Sequence, residues 1–242
     1  MLTVAYDGTD YCGWQRQTNG VSIEEVLQKA VDKVNGRSTP IIGASRTDAG
    51  VHALGNAAVF DTELGIDADV FAKALNTCLP PDIRIRTSRE VPGDFHPRYG
   101  ECLKTYEYYV QNTSDVIPTL RRTNWYVSYQ LDIGAMREGA AILTGKHDFK
   151  SFCCPRTGVK TTVREVTAFD IVKDQDALTF HVEGTGFLMH MVRIMVGTLI
   201  RVGRGFYGPD HVTEILEARD RTMAGATAPP HGLFLIGLDY DL

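Results

Sequence analysis

The chain has 242 residues, 43% of them hydrophobic and 23% charged, which is typical of a folded protein with one large or two small domains. No apolar run approaches the length of a membrane span, and a strand-like segment follows Met1 directly, so we expect neither a membrane helix nor a signal peptide. The five cysteines include no Cys-x-x-Cys pair, which favours a reducing cytoplasm. A formal net charge of −5, taken alone, argues against a nucleic-acid partner.

In the first half of the chain, predicted strands alternate with amphipathic helices. Leu2, Val4 and Tyr6 have polar or small neighbours, as in a half-buried strand. Ser22 and Glu25 form a capping box, which predicts a helix from there to Asn35. The remaining predicted elements are strands at Pro40–Ala44, Asn56–Asp61, Ile83–Arg86 and Leu103–Gln111, and a helix over Val70–Cys78 that Asp67 caps.

The second half repeats this order. Strands are predicted at Asn124–Tyr129, Val163–Val172, Ala177–Glu183 and Leu233–Tyr240, and helices at Asp132–Leu143, Phe187–Val202 and Pro209–Arg219. The succession predicts an α+β fold of two ferredoxin-like βαββαβ halves. The expected division is a first half at residues 1–111, a linker at 112–123 and a second half at 124–242.

A glycine-rich stretch, Gly43–Gly55, lies between two of these strands and carries the acid Asp48 and the base Arg46. Loops that a rigid scaffold holds between strands are common places for reactive side chains. A plain hairpin loop, whose Asp and Thr bind their own backbone, is the alternative interpretation.

The predicted helix Phe187–Val202 is apolar at nearly every position, which indicates burial on most sides. Arg193 is expected in its middle, and a buried guanidinium needs an anion, for which Asp48 is the candidate. The alternative is an arginine whose charged end reaches solvent at the edge of the core, which suits Arg201 better than Arg193.

Positive charge is concentrated despite the acidic total. Residues 143–164 contain five basic residues against one acid, and residues 187–208 contain three basic residues and no acid. Local basic surface decides phosphate binding, so these segments are candidates for contacts with phosphate groups. The alternative is that these basic residues simply form a solvated surface without a binding role.

Several chemistries lack their sequence patterns. There is no Gly-x-Ser-x-Gly, no Walker or dinucleotide glycine motif, no zinc-deaminase signature and no metal-ligand spacing among the seven histidines. What remains is a single loop acid, a helix arginine, basic segments and strand tyrosines such as Tyr106. A strand tyrosine is commonly a core residue, but it can also stack on an unpaired base.

Six further motifs accompany the Arg-Thr-Asp-Ala-Gly-Val-His-Ala core of the Asp48 stretch. They are Tyr6-Asp-Gly-Thr-Asp-Tyr-Cys-Gly-Trp-Gln15, Phe95-His-Pro-Arg98, Lys104-Thr-Tyr-Glu-Tyr108, His147-Asp-Phe149, His190-Met-Val-Arg193 and Gly232-Leu-Phe-Leu235. In this order, over nearly the whole chain, they strongly resemble the tRNA pseudouridine synthase A family. The resemblance implies the pseudouridine synthase fold, in which two ferredoxin-like halves share a mixed, largely antiparallel central sheet flanked by helices.

The resemblance also implies a cytoplasmic isomerase that converts uridine to pseudouridine in the anticodon stem-loop of tRNA, at positions 38, 39 and 40. It implies a homodimer without metal or cofactor. Asp48 would be the nucleophile, whether it attacks the ribose C1′, adds to uracil C6 or assists glycal formation.

Five residues are assigned to substrate binding by the same resemblance. Tyr106 would stack on the target base and could assist proton transfer at C5. Arg193 would hold Asp48 ionised, and Leu233 would wall the pocket. Arg46 would help to hold the flipped-out nucleotide, and His52, within the same motif, is assigned to substrate binding without a more specific role.

A non-catalytic RNA-binding module of tandem ferredoxin-like halves is the competing class. It would need exposed aromatic and basic residues but would have no use for Asp48 paired with a buried arginine. No aromatic string of the kind that marks RNA-recognition motifs is visible.

Overall fold

The computed structural model describes residues 1–155 and 158–241. Arg156, one of the basic residues of segment 143–164, lies outside the described residues. Within the described residues the chain forms two compact units, the first made of Met1–Cys102 and residues 234–241, the second of Leu103–Leu233. The first unit combines segments from both ends of the chain, whereas the sequence suggested two consecutive halves. The division at residues 112–123 stays a prediction.

The first unit contains a ferredoxin-like sheet. Its strands are β1 (Leu2–Tyr6), β2 (Ile42–Gly43), β3 (His52–Val59) and β4 (Ile83–Ser88), in the spatial order β4-β1-β3-β2. Every pair among these strands is antiparallel. Strand β10 (Leu233–Tyr240) pairs in parallel with the first two residues of β3, with Phe234 opposite His52. This order is that of the split βαββαβ motif.

Two helices belong to the first unit: α1 (Ile23–Asn35) and α2 (Val70–Asn76). The Ser22 side chain accepts a hydrogen bond from the Glu25 backbone N–H at 3.2 Å, which confirms the predicted helix cap. Ile23, Leu27 and Val31 are buried along one face of α1, as their spacing requires.

The second unit contains five further strands. Its strands are β5 (Cys102–Gln111), β6 (Trp125–Tyr126), β7 (Gly145–Asp148), β8 (Val163–Asp174) and β9 (Ala177–Gly184). Their order is β5-β9-β8-β7 with antiparallel pairing, and β6 lies parallel to the end of β5. Because the strands of each unit pair mostly in antiparallel fashion and are combined with helices, the α+β class is confirmed.

Three helices belong to the second unit: α3 (Ile133–Leu143), α4 (Met191–Gly203) and α5 (His211–Ala218). Eleven of the thirteen residues of α4 are buried, so the prediction of a helix buried on most sides is confirmed. Its two exceptions are Arg193, which is half-buried, and Arg201, which is exposed near the helix end beside the Phe206 and Tyr207 rings.

Some predicted boundaries were wrong. Helix α4 begins at Met191 rather than Phe187, because His190 adopts a left-handed conformation with φ of 63°. Arg193 therefore lies in the first turn of α4 and not in its middle. Strand β3 begins at His52, which shortens the loop around Asp48 to residues 44–51, and the polar strand β7 had not been predicted.

Candidate active site

Asp48 lies in the loop of residues 44–51, which joins β2 to β3. The Val51 N–H donates to the Asp48 carbonyl at 3.1 Å and closes a turn at that point. The Gly50 N–H donates to the Tyr11 carbonyl at 3.4 Å, so the turn is also tied to the segment after β1. Asp48 itself is half-buried, so the residue keeps some exposure to solvent.

The segment after β1 supports this loop from one side. The Trp14 N–H donates to the Thr47 carbonyl at 3.1 Å, and the Trp14 side chain is fully buried. Gly13 has φ of 98°, and a Cβ atom there would lie 2.6 Å from the Thr47 carbonyl oxygen. Only glycine fits such a close approach of two backbones, which gives the Gly13-Trp14 part of the first motif a structural reason.

Two other predicted site residues lie in or next to the loop. Arg46 is exposed, so its guanidinium can reach a ligand in solvent. His52 is only 2% exposed and stacks on Phe234 with ring centroids 4.5 Å apart. Its Nδ1 lies 3.2 Å from both the Gly8 N–H nitrogen and a carboxylate oxygen of Asp7. His52 thus lies beneath the loop and contacts the Asp7–Gly8 turn.

A buried polar network below the loop was not predicted. The Tyr6 hydroxyl lies 2.8 Å from Thr47 Oγ1, and the Asn56 amide contacts the Tyr6 hydroxyl and both backbone groups of Ser45. From the sequence, Tyr6 was interpreted as an apolar strand residue and as the first residue of a family motif, without a contact to the Asp48 loop. The one signal for this network in the sequence was Asn56, an asparagine in a predicted strand whose neighbours are apolar. A buried side-chain amide needs hydrogen-bond partners.

Tyr106 lies in β5, opposite Val182 of β9, and is 9% exposed. Its ring meets the ring of Phe187 edge to face, with centroids 5.2 Å apart. Its orientation is therefore held by neighbours in its own unit. Such a ring has little rotational freedom to lose when a base stacks on it.

Tyr108, two residues further on the same face of β5, is fully buried. Its hydroxyl donates to the Pro229 carbonyl at 2.8 Å, and its ring packs against Gly232. Burial raises the pKa of the Tyr108 phenol well above its ordinary value of about 10, so the hydroxyl remains a donor. Tyr108 thereby anchors the turn that leads into Leu233, which is itself 6% exposed.

Arg193 is bound to the segment that precedes this turn. Its Nε donates to the Ala228 carbonyl at 2.8 Å, while the Ala228 N–H donates to the Arg193 carbonyl at 3.1 Å. The first turn of α4 and residues 228–233 are thus held together within the second unit. The predicted pairing of Arg193 with Asp48 stays a prediction.

The predicted site residues therefore form two groups. Asp48, Arg46 and His52 belong to one loop and the start of β3 in the first unit. Tyr106, Arg193 and Leu233 belong to the second unit, where the Ala228–Gly232 segment links α4 to β5. Across residues 1–155 and 158–241, the structure contains neither a group of three His, Cys, Asp or Glu side chains suited to a metal ion nor a helix able to cross a membrane.

Comparison with known proteins relates these motifs to a family. Residues 2–100 and 140–241 match the model of a family described as tRNA pseudouridine synthase. The chain is 46% identical to the tRNA pseudouridine synthase A of Thermoanaerobacter sp. (strain X514) over 99% of this chain and 98% of the relative. The corresponding protein of Exiguobacterium sibiricum is 46% identical over 96% of this chain and 93% of its own length.

A third relative is similar over the same extent. The tRNA pseudouridine synthase A of Geobacter sulfurreducens is 44% identical, over 97% of this chain and 96% of its own. The similarity is full-length in both directions and includes the segments that carry Asp48, Tyr106 and Arg193. The resemblance seen in the motifs is confirmed: the chain belongs to the tRNA pseudouridine synthase A family and is an isomerase.

Proposed function

We propose that this chain converts uridine to pseudouridine in the anticodon stem-loop of tRNA, at positions 38, 39 and 40. The observation that carries the proposal is the 46% identity over 240 residues to a protein named tRNA pseudouridine synthase A. The loop of residues 44–51 supports it, since a half-buried carboxylate on a braced loop suits a nucleophile.

The reaction breaks the bond between uracil N1 and ribose C1′ and forms a bond between uracil C5 and C1′. N1 gains a proton and C5 loses one, so atoms and oxidation state are conserved. Such an isomerisation needs no redox partner and no added water, and we infer that it proceeds without cofactor or metal. Asp48 would act as the single catalytic carboxylate, by attack on C1′, by addition to C6 or by assisting glycal formation.

The other assigned residues would hold the nucleotide. Tyr106 would stack on the uracil, because its ring is fixed by Phe187 and needs little reordering. Arg193 would keep Asp48 ionised and oriented. Leu233, on the turn that Tyr108 anchors, would close the pocket around the detached base.

The two remaining assignments differ in how directly they act. Arg46 is exposed and would contact the flipped-out nucleotide or its phosphate. His52 is buried, so its contribution to binding would act through the Asp7–Gly8 turn that it contacts. Extruding the uridine costs a few kcal/mol, which contacts to the extruded base and to the backbone would offset.

We further infer that the enzyme is a cytoplasmic homodimer. The five cysteines, of which Cys153 is buried and four are partly buried, form no disulfide among the described residues, which suits a reducing compartment. Sedimentation equilibrium tests the dimer: a mass near twice 26.8 kDa is expected at micromolar concentration. A monomer mass at that concentration contradicts it.

The activity is tested with tRNA that carries tritium at uracil C5, since formation of the C5–C1′ bond releases it. Substrates with a single uridine at position 38, 39 or 40 should each release tritium with purified protein. A matched tRNA with cytidine at all three positions should release none. Absence of release from every substrate would indicate a non-catalytic RNA-binding module, and release from the cytidine control would overturn the position assignment.

A further inference from the structure

The backbone of Ser45 is paired with a side chain rather than with a neighbouring strand. Strand β2 pairs with β3 through Ile42 and Gly43, and the Ala44 N–H still donates to the Ala57 carbonyl at 2.8 Å. At the next residue, Ser45, the N–H donates to Asn56 Oδ1 at 3.3 Å, and Asn56 Nδ2 donates to the Ser45 carbonyl at 3.0 Å. The Asn56 amide therefore replaces a strand partner where the chain enters the loop.

The same amide continues to the residue before Asp48. Asn56 Nδ2 also contacts the Tyr6 hydroxyl at 3.2 Å, and that hydroxyl lies 2.8 Å from Thr47 Oγ1. Burial raises the pKa of the Tyr6 phenol, which stays protonated and can accept from Asn56 while it donates to Thr47. Both Asn56 and Tyr6 are at most 4% exposed, so water does not compete for these bonds.

We infer that Asn56 and Tyr6 are positioning residues for Asp48. Asn56 fixes the peptide of Ser45, Tyr6 fixes the side chain of Thr47, and Asp48 is the next residue along the chain. The inference rests on the proposed function, because it takes Asp48 as the catalytic carboxylate. A displacement of about 1 Å in a reacting group can lower a rate by about 100-fold, so loss of one bond in this network should affect the chemical step.

A purely structural role would have a different signature. Removing a buried hydrogen bond lowers the free energy of unfolding wherever it lies, typically by about 1–3 kcal/mol. Such a loss leaves the rate of the folded enzyme unchanged. The rate of a single turnover with saturating enzyme, measured below the unfolding transition, separates the two roles.

Tyr240 provides a matched control in the same unit. Its hydroxyl is also buried and donates to the Pro97 carbonyl at 2.6 Å, outside the Asn56–Tyr6–Thr47 network. The Tyr240 ring packs against Ala44 and Ala57, and Tyr240→Phe keeps that ring while it removes only the bond to Pro97. Tyr6→Phe and Tyr240→Phe should lower the melting temperature comparably. Only Tyr6→Phe should slow pseudouridine formation, by about 10- to 100-fold, with the Kd for tRNA within about threefold of wild type. Equal single-turnover rates for the two variants would overturn the inference.

Thr47 tests the network from its other end. Thr47→Val removes the hydroxyl that Tyr6 contacts, whereas Thr47→Ser retains it. We expect Thr47→Val to reproduce the slow rate of Tyr6→Phe, Thr47→Ser to keep most of the wild-type rate, and the double variant with Tyr6→Phe to show no further loss. Equal rates for the Val and Ser variants, or additive losses in the double variant, would refute the coupling.

Asp48→Asn distinguishes this inference from the proposed function. If Asp48→Asn is inactive while Tyr6→Phe turns over at the wild-type rate, only the positioning role is wrong. If Asp48→Asn retains substantial turnover, the catalytic assignment is wrong and the inference is wrong with it.

Discussion

At the scale of single residues, Asp48 is the sole acid in the loop of residues 44–51, and that loop is braced by backbone bonds from Trp14 and Gly50. Because the bracing involves the backbone and Thr47, the loop should keep its shape when the carboxylate is changed. The function of Asp48 can therefore be separated from the stability of the fold.

We predict that Asp48→Asn lowers turnover by more than about 10³-fold, as loss of a nucleophile does. The free energy of unfolding should change by no more than about 1 kcal/mol, since the substitution is isosteric and the proposed pair with Arg193 is partly exposed. Tritium release and thermal melting provide the two measurements, and filter binding should give an unchanged Kd for tRNA. Loss of binding together with activity would assign Asp48 to recognition instead.

Substitutions at Tyr106 distinguish base stacking from proton transfer. Tyr106→Phe keeps the ring that meets Phe187 and should bind tRNA nearly as wild type, whereas Tyr106→Ala should lose about 1–3 kcal/mol of binding. If the Phe variant turns over as slowly as the Ala variant, the hydroxyl takes part in the chemistry. Full activity in both would make Tyr106 a core residue only.

At the scale of elements, helix α4 and the segment of residues 224–229 pack backbone against backbone. A Cβ atom at Gly197 would overlap the Ala226 carbonyl oxygen. The Thr198 hydroxyl, which donates to the Ile194 carbonyl at 2.8 Å, accepts from the Gly225 N–H at 2.9 Å. These contacts hold the segment that Arg193 binds at Ala228 and that leads into Leu233. The positions of Arg193 and Leu233 therefore depend on the close backbone packing that Gly197 permits, more than one helical turn from Arg193.

We predict that Gly197→Ala destabilises the protein by about 1–3 kcal/mol through overpacking. In an open helix the same change would stabilise by about 1 kcal/mol, so the sign of the effect is informative. Turnover should fall as well, because residues 226–233 must shift. Urea unfolding and tritium release would measure both effects.

Gly208→Ala is the control for this prediction. No atom lies within 4 Å of a Cβ placed at Gly208, so its stability should change by less than about 0.5 kcal/mol. A Gly197→Ala variant as stable as Gly208→Ala would show that the segment can move away without loss.

At the scale of the whole molecule, a chain with a net charge of −5 is proposed to bind a polyanion. In the segment of residues 143–164, Asp148 forms an ion pair with Arg219 at 3.1 Å, so its charge is compensated. Lys146, Lys150 and Lys160 are exposed in the same segment. This local surface, rather than the total charge, should determine the affinity for tRNA.

We predict that tRNA binding weakens steeply with salt, because each neutralised phosphate releases counterions. Replacing Lys146, Lys150 and Lys160 by Glu should reduce the slope of log K against log salt by about one unit for each lysine that contacts a phosphate. Exposed Lys29, Lys33 and Lys73, changed to Glu together, lower the net charge equally and should leave the slope nearly unchanged. Equal slopes in both triple variants would assign the first three lysines to solvated surface.

Family membership and most local structure were determined by the sequence alone. Strands β1 and β10 have the predicted bounds, and α1 has the predicted cap, because alternation and capping depend on residues within about one helical turn. The α+β class followed from the order of such elements. The roles assigned to the site residues from the motifs remain predictions.

Only the tertiary structure revealed the supports of the site. Asn56 meets Tyr6 across 50 positions of sequence, and Tyr108 meets Pro229 across 121. The left-handed conformation of His190, which delays the start of α4, likewise had no signal in an otherwise apolar helical pattern. Hydrogen bonds between distant segments depend on how strands and loops come together in space, and hydrophobic periodicity carries no information about which polar groups will meet.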